Sequence, residues 1–298
     1  MKRPNSQTLR FLLHVVGSGL GLAGIVFVGI RLFEHAEQVD FSSFGLIAWG
    51  ALASFALTYG AAYTMFARAW WCQLAFFGLH TDWLWALRTY GLSQLAKYVP
   101  GNIFHLAGRQ AIGMAAGLPA GPLAKSVAWE LGSSAVAGAC FSLLILPLIW
   151  SPVGVTVAVL MFVCLLALLC LATARFLSTA AAFGLLWQAA FLALSGTIFI
   201  GILALVSDFN LILPLAPAIC GAYVVAWLVG LVVPGAPAGV GVREMVLLYL
   251  LKEQISPEAL VLAVILGRIV TVMGDLLFFG AMNAIRQGRV ALKPSERN

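Results

Sequence analysis

Two Pro-Gly pairs interrupt apolar sequence, and an arginine follows each at the same distance. The first copy reads Lys97-Tyr98-Val99-Pro100-Gly101-Asn102-Ile103-Phe104-His105-Leu106-Ala107-Gly108-Arg109. The second reads Val232-Val233-Pro234-Gly235-Ala236-Pro237-Ala238-Gly239-Val240-Gly241-Val242-Arg243-Glu244. In both, arginine lies nine positions after proline (109 − 100 and 243 − 234), with a glycine one or two positions before it. A helix that restarts after such a break presents free backbone N–H groups, which attract anions, and arginine matches a phosphate bidentately. Broken helices with embedded charge, in corresponding places of two halves, point to a substrate site.

In the first copy, Asn102 has the side chain of a helix N-cap, and Gly117 before Leu118-Pro119 is a stop signal. The spacing predicts a helix over about 103–116, with His105 in its first turn. His105 and Arg109 are four apart and share a face. The competing reading is a kinked helix whose cations reach out to the membrane surface. In the second copy, Arg243 and Glu244 open a short apolar helix, Met245 to Leu251. Glu244 can cap the helix dipole, pair with an arginine of the other half, or touch substrate.

Glu130, Arg268 and Asp275 lie inside apolar runs, where each charge at mid-bilayer costs roughly 2.5–3.5 kcal/mol unless it is paired. Arg268 and Asp275 are seven apart, on one face but about 10 Å apart along the axis. Both are expected to face the interior and meet groups such as Glu130 or Glu244. A structural ion pair and a proton or substrate role both remain open for them. The candidate substrate-binding set is therefore Lys97, Pro100, Gly101, Asn102, His105, Arg109, Glu130, Pro234, Gly235, Gly241, Arg243, Glu244, Arg268 and Asp275.

These residues need a membrane scaffold. The 298-residue chain is 62% hydrophobic and 9% charged, with mean hydropathy +1.01, against roughly 25% charge in soluble domains. Apolar runs of spanning length fall at about 11–30, 44–66, 123–149, 152–173, 184–206, 213–233 and 258–283. They are rich in glycine and alanine, which permit close helix approach in lipid. The expectation is an all-α polytopic bundle of about seven full spans plus two broken or re-entrant segments, forming one domain over 1–298 with a weak internal repeat. The motif offset of 134 residues (234 − 100) suits two halves.

The net charge of +6 does not mark a nucleic-acid surface, because its cations gather at the ends. Lys2, Arg3 and Arg10 precede the first run, and Arg286, Arg289, Lys293 and Arg297 follow the last, so both termini read as cytoplasmic. The first run lacks a small-residue cleavage site and reads as an uncleaved span. Seven simple spans would part the termini, so one broken stretch must cross and the other must return. Five scattered cysteines and four scattered histidines form no metal-ligand or disulfide pattern, and no cofactor is expected. Trp70, Trp71, Trp83 and Trp85 fit an interfacial aromatic belt.

At Lys97-Tyr98-Val99-Pro100-Gly101 with Gly108-Arg109, and at Pro234-Gly235 with Gly239, Gly241, Val242, Arg243 and Glu244, the chain resembles the lysylphosphatidylglycerol synthase transmembrane-region family. Glu130 falls where members often carry Glu-Arg, here followed by Leu131, and Arg268 falls where they often carry a late arginine. The resemblance implies a flippase or scramblase of the bacterial inner membrane. Its implied partners are membrane lipids with an anionic headgroup, a phospholipid or a polyprenyl-phosphate-linked lipid. The alternative classes are a membrane enzyme acting on lipid phosphate, and an accessory subunit working with envelope-biosynthesis enzymes.

Overall fold

The computed structural model describes residues 45–99, 104–150, 152–232 and 241–285, which are helical apart from short connections and contain no strand. The expected span 11–30, the terminal cations, and Pro100, Gly101, Asn102, Pro234 and Gly235 lie outside the described residues. Among the described residues six helices are long and apolar enough to cross a membrane, and each overlaps one of the other six expected runs, the largest difference being the first, which continues to Phe76 rather than ending at 66. In hydrocarbon every backbone polar group must be satisfied within the segment, so such runs have no stable alternative to helix.

The order is α1 (Leu46–Phe76), α2 (Trp83–Gln94) with a 3-10 turn (Leu95–Tyr98), α3 (Phe104–Ala115), and α4 (Ala120–Cys140). α4 continues through a 3-10 turn (Phe141–Ile145) and a last turn (Leu146–Ile149). Then come α5 (Val155–Phe176), α6 (Thr179–Val206), α7 (Phe209–Val232), α8 (Val242–Leu251) and α9 (Pro257–Ala284). The polytopic all-α bundle is the architecture that composition predicts.

Local chemistry accounts for the boundaries. Val99 is extended, as a residue before proline must be, so α2 cannot run on through Pro100. Gly117 closes α3 at φ +93, with its N–H on the Met114 carbonyl and the Leu118 N–H on the Gly113 carbonyl. That paired closure requires the left-handed conformation glycine adopts freely. Ser178 caps α6 through the Ala181 N–H (3.0 Å), and Ser256 caps α9 with Pro257 in its first turn.

Ordered contacts give each helix a direction. Trp70 stacks on Trp85 (6.0 Å) and Phe66 on Tyr90 (6.4 Å), so α2 runs back along α1. Arg109 meets Glu130, and a Cβ at Gly113 would strike Leu123, so α3 and α4 are antiparallel. Gly108 lies against Ser93, which closes α2 and α3 into a hairpin. The stretch 83–118 therefore returns to the side where α1 ends.

α9 runs parallel to α1: Gly60 faces Gly274, and Tyr63 stacks on Phe278 at 5.4 Å. α7 is antiparallel to α4, with Gly138 against Leu228 and Gly221 against Phe141 and Leu144. α8 is antiparallel to α9, since Glu244 meets Arg268, Leu247 and Val264 line one recess, and only five residues connect Leu251 to Pro257. α7 and α9 thus point the same way, and the stretch that includes α8 carries the chain back between them. The first break returns and the second crosses, a choice that span parity left open.

α1, α6 and α9 form the centre, and α5 is the outlying helix, with 6% of its most apolar window buried. Tyr63, Phe66 and Phe191 fill the α1–α6 contact. A Cβ on Gly60 would lie 2.8 Å from the Gly274 carbonyl oxygen, and one on Gly274 would lie 2.9 Å from the Ala56 carbonyl oxygen. Backbones meet there because no side chain intervenes. The tryptophan belt is corrected in part. Trp70 and Trp85 are buried against each other, whereas Trp71 binds the Thr81 carbonyl (2.7 Å) and receives Arg68 on its face.

Two outcomes follow from these contacts. In a background without native cysteines, single cysteines replacing His80, Pro119 and Ser178 should react with an impermeant maleimide from one side of the membrane. One replacing Asp208 should react from the other. Labelling of positions 80 and 119 from opposite sides would contradict the hairpin. Gly60→Val should destabilise the purified protein by ~1–3 kcal/mol, read as a lowered melting temperature in detergent.

Candidate functional site

Helix α2 with its 3-10 turn, the restart at α3, the end of α7 and the start of α8 meet the middles of α1, α4 and α9. Where they converge they enclose a polar cavity of about 110 Å³. One water needs ~10–15 Å³ of such space, so the cavity admits several waters or a small polar group. Lys97, His105, Arg109, Glu130, Arg243, Arg268 and Asp275 line it, and Glu244 lies beside Arg243 and Arg268 in a neighbouring recess. Residues scattered over 179 sequence positions (275 − 97 + 1) therefore share one site.

Three ion pairs organise it. Lys97 Nζ donates to Asp275 Oδ1 at 2.9 Å, lies 2.7 Å from Oδ2, and donates to the Tyr63 hydroxyl at 2.7 Å. The Tyr98 hydroxyl also donates to Asp275, whose side chain is fully buried. Arg109 Nη1 reaches both Glu130 oxygens, at 2.8 and 2.6 Å, and the Tyr90 hydroxyl donates to the same carboxylate at 3.0 Å. The Arg109 guanidinium lies 4.3 Å from the Tyr90 ring centre and is 1% exposed. Arg268 Nε donates to Glu244 Oε1 at 2.5 Å.

Each pair joins a short segment beside a break to a long spanning helix: the 3-10 turn to α9, α3 to α4, and α8 to α9. Low dielectric makes such pairs strong, and it makes loss of one partner expensive.

Arg243 differs from the other cations. Its guanidinium lies over the Tyr223 ring at 5.3 Å, and it forms no ion pair among the described residues. Four cations (Lys97, Arg109, Arg243, Arg268) stand against three acids (Glu130, Glu244, Asp275), which leaves the site at 4 − 3 = +1 with histidine neutral. Three polar atoms of the site have no partner among the described residues: His105 Nδ1, Arg109 Nε and Glu244 Oε2.

The expected residues are largely reunited here, with changed pairings. Arg268 meets Glu244 as expected, within the same half of the chain. Asp275 meets Lys97 rather than Glu130 or Glu244, because the hairpin tip brings the 3-10 turn onto α9. Glu130 takes Arg109. Arg109 is therefore already engaged by a carboxylate, whereas Arg243 forms no ion pair among the described residues. His105 lies in the first turn of α3 and lines the cavity with Arg109. Gly241 precedes α8 at φ +85, a backbone conformation suited to glycine.

Sequence reasoning overlooked the tyrosines. The chain has six, and Tyr59, Tyr63, Tyr90, Tyr98 and Tyr223 all line the cavity or its neighbouring recess. The Tyr59 and Tyr63 hydroxyls lie 3.3 Å apart. Their signal was a hydroxyl inside an apolar run, one helical turn from another. Gln94, Ser134 and Thr271 add further polar groups to the wall. No protein-family model, curated protein or solved structure matches the chain.

The Arg109–Glu130 pair yields a thermodynamic outcome. Arg109→Leu or Glu130→Leu alone should cost ~3–5 kcal/mol, because each leaves a buried charge without its counterion. The double variant should recover most of that loss. Melting of the purified proteins measures this, and additive losses would show that the two groups act separately.

Proposed function

We propose that this chain is a lipid transporter that takes an anionic headgroup, from a phospholipid or a polyprenyl-phosphate-linked lipid, into the polar cavity and moves it across the membrane. The observation that carries this reading is the single surplus cation, Arg243, in a cavity where the other cations have carboxylate partners. A phosphodiester monoanion would neutralise it. Ligand sites for drug-sized molecules are ~300–1,000 Å³, and 110 Å³ suits a headgroup whose acyl chains stay in the lipid.

The resemblance to the lysylphosphatidylglycerol synthase transmembrane region supports the same reading, since that family's implied activity is lipid translocation. All three acids accept hydrogen bonds from cations, a task of neutralisation rather than of general-base catalysis. Ion pairs between short segments and spanning helices give contacts that an incoming phosphate can exchange for its own.

Orientation follows from charge outside the cavity. Among the described residues, the end where α1 stops carries Arg68, Arg88, Lys125 and Arg175, whereas Lys252 stands at the opposite end. The excess of four over one makes the α1-terminal end cytoplasmic in our reading, together with the end of α9. The bacterial inner membrane is the proposed location.

Reconstitution into liposomes with labelled phosphatidylglycerol tests the proposal. Loss of charge-assisted hydrogen bonds worth ~1.5–3 kcal/mol corresponds to ~10–100-fold. Arg243→Ala should slow translocation by that factor while the protein stays folded. Equal rates for the wild type and Arg243→Ala would overturn the assignment of Arg243.

A further inference from the structure

Behind the polar cavity, on the other face of α4, lies a larger recess of about 520 Å³. Phe77, Lys125, Trp129, Gly132, Val136 and Leu177 are among its walls, which come from the end of α1, from α4, and from the facing ends of α5 and α6. These ends all belong to the side of the membrane where α1 stops. Glu130 and Ser134 of α4 face the polar cavity, so this one helix separates the two spaces.

Several features specify an occupant. Lys125 is exposed and is the sole charged group among the described walls. Lys125 and Val136 are eleven residues apart (136 − 125), or ~16 Å along a helix. Half of a ~30 Å hydrocarbon core is ~15 Å, so the groove runs the depth of one leaflet with its cation at one end. Trp129, one turn beyond Lys125, lines the same groove. The neighbouring outward face of α5 is exposed and apolar.

We propose that this groove seats one acyl chain of an anionic phospholipid from that leaflet, with the phosphate on Lys125. A transmembrane helix from residues 11–30 or a second copy's α5 brings no acid to Lys125, since neither sequence contains one. A lipid phosphate does. The site stands apart from the transport cavity, and its occupancy does not depend on Arg243.

The full chain in nanodiscs provides the test, with bromine-labelled acyl chains on either phosphatidylglycerol or phosphatidylcholine. The readout is quenching of Trp129 fluorescence, taken as the wild-type signal less that of Trp129→Phe. Brominated phosphatidylglycerol should quench at a lower mole fraction than brominated phosphatidylcholine. Lys125→Ala should raise the half-quenching fraction of phosphatidylglycerol about fivefold, the contribution of one lysine at an anionic surface (~1 kcal/mol).

Gly132→Phe should abolish quenching, and it should fold, because a Cβ at Gly132 meets nothing within 4 Å. Equal quenching by both lipids that Gly132→Phe leaves unchanged would mean bulk lipid only and would overturn the proposal. Absence of quenching by either lipid would mean that protein fills the groove, the first apolar segment or a second copy, and would overturn it as well.

Discussion

A charge placed in hydrocarbon must be neutralised where it stands, and this requirement shapes the centre of the molecule. Among the described residues seven charged side chains gather at the cavity and its neighbouring recess, and six of them meet as Lys97–Asp275, Arg109–Glu130 and Arg268–Glu244. Two pairs join helices linked by short turns, α3 to α4 and α8 to α9, and the third joins the 3-10 turn to α9 across most of the chain. The short segments beside the two Pro-Gly breaks are the 3-10 turn, α3 and α8. Their charges find counterions on α4 and α9, and the pairs fix where the short segments sit. The seventh charge, Arg243, lies over the face of Tyr223 and forms no ion pair of its own among the described residues, Glu244 being bonded to Arg268.

Close helix approach is the second condition. Ion pairs of 2.5–2.9 Å form only if the backbones that carry them come near enough. Gly60 against Gly274 brings α1 to α9, one residue from Asp275 and three from Tyr63. Gly91 admits Met282 between α2 and α9, and Gly113 admits Leu123 between α3 and α4. Small residues thus do the packing that the hydrophobic effect does in water. The polar cavity is what remains where aromatic and charged side chains are too bulky for the same closeness.

The two sides of α4 illustrate how one helix can serve two environments. Glu130 faces the polar cavity and Trp129 the apolar recess, although they are adjacent in sequence. The 100° turn between neighbours in a helix suffices to part them. Bonds through the wall keep it stiff: Gln188 donates to the Glu130 carbonyl at 3.2 Å, and Gln73 to the Ser133 hydroxyl at 3.2 Å.

The amino-acid sequence alone determined the membrane class, five of the six described spans to within about five residues, the helix stop at Gly117, and every charge of the site; α1 runs on to Phe76, ten residues past the expected end. Those features rest on local chemistry: apolar length, proline and glycine backbone limits, and the cost of charge in lipid. Pairing was not legible, because Lys97 and Asp275 are 178 positions apart and nothing local distinguishes Asp275 from Glu130 as a partner. Nor could parity say which break returns, since either choice balances the spans. The tyrosines escaped notice because a single hydroxyl in an apolar run has no partner until the fold supplies one. Tertiary structure decided these matters, through packing directions that bring distant helices to one depth, where each buried charge takes the nearest opposite one.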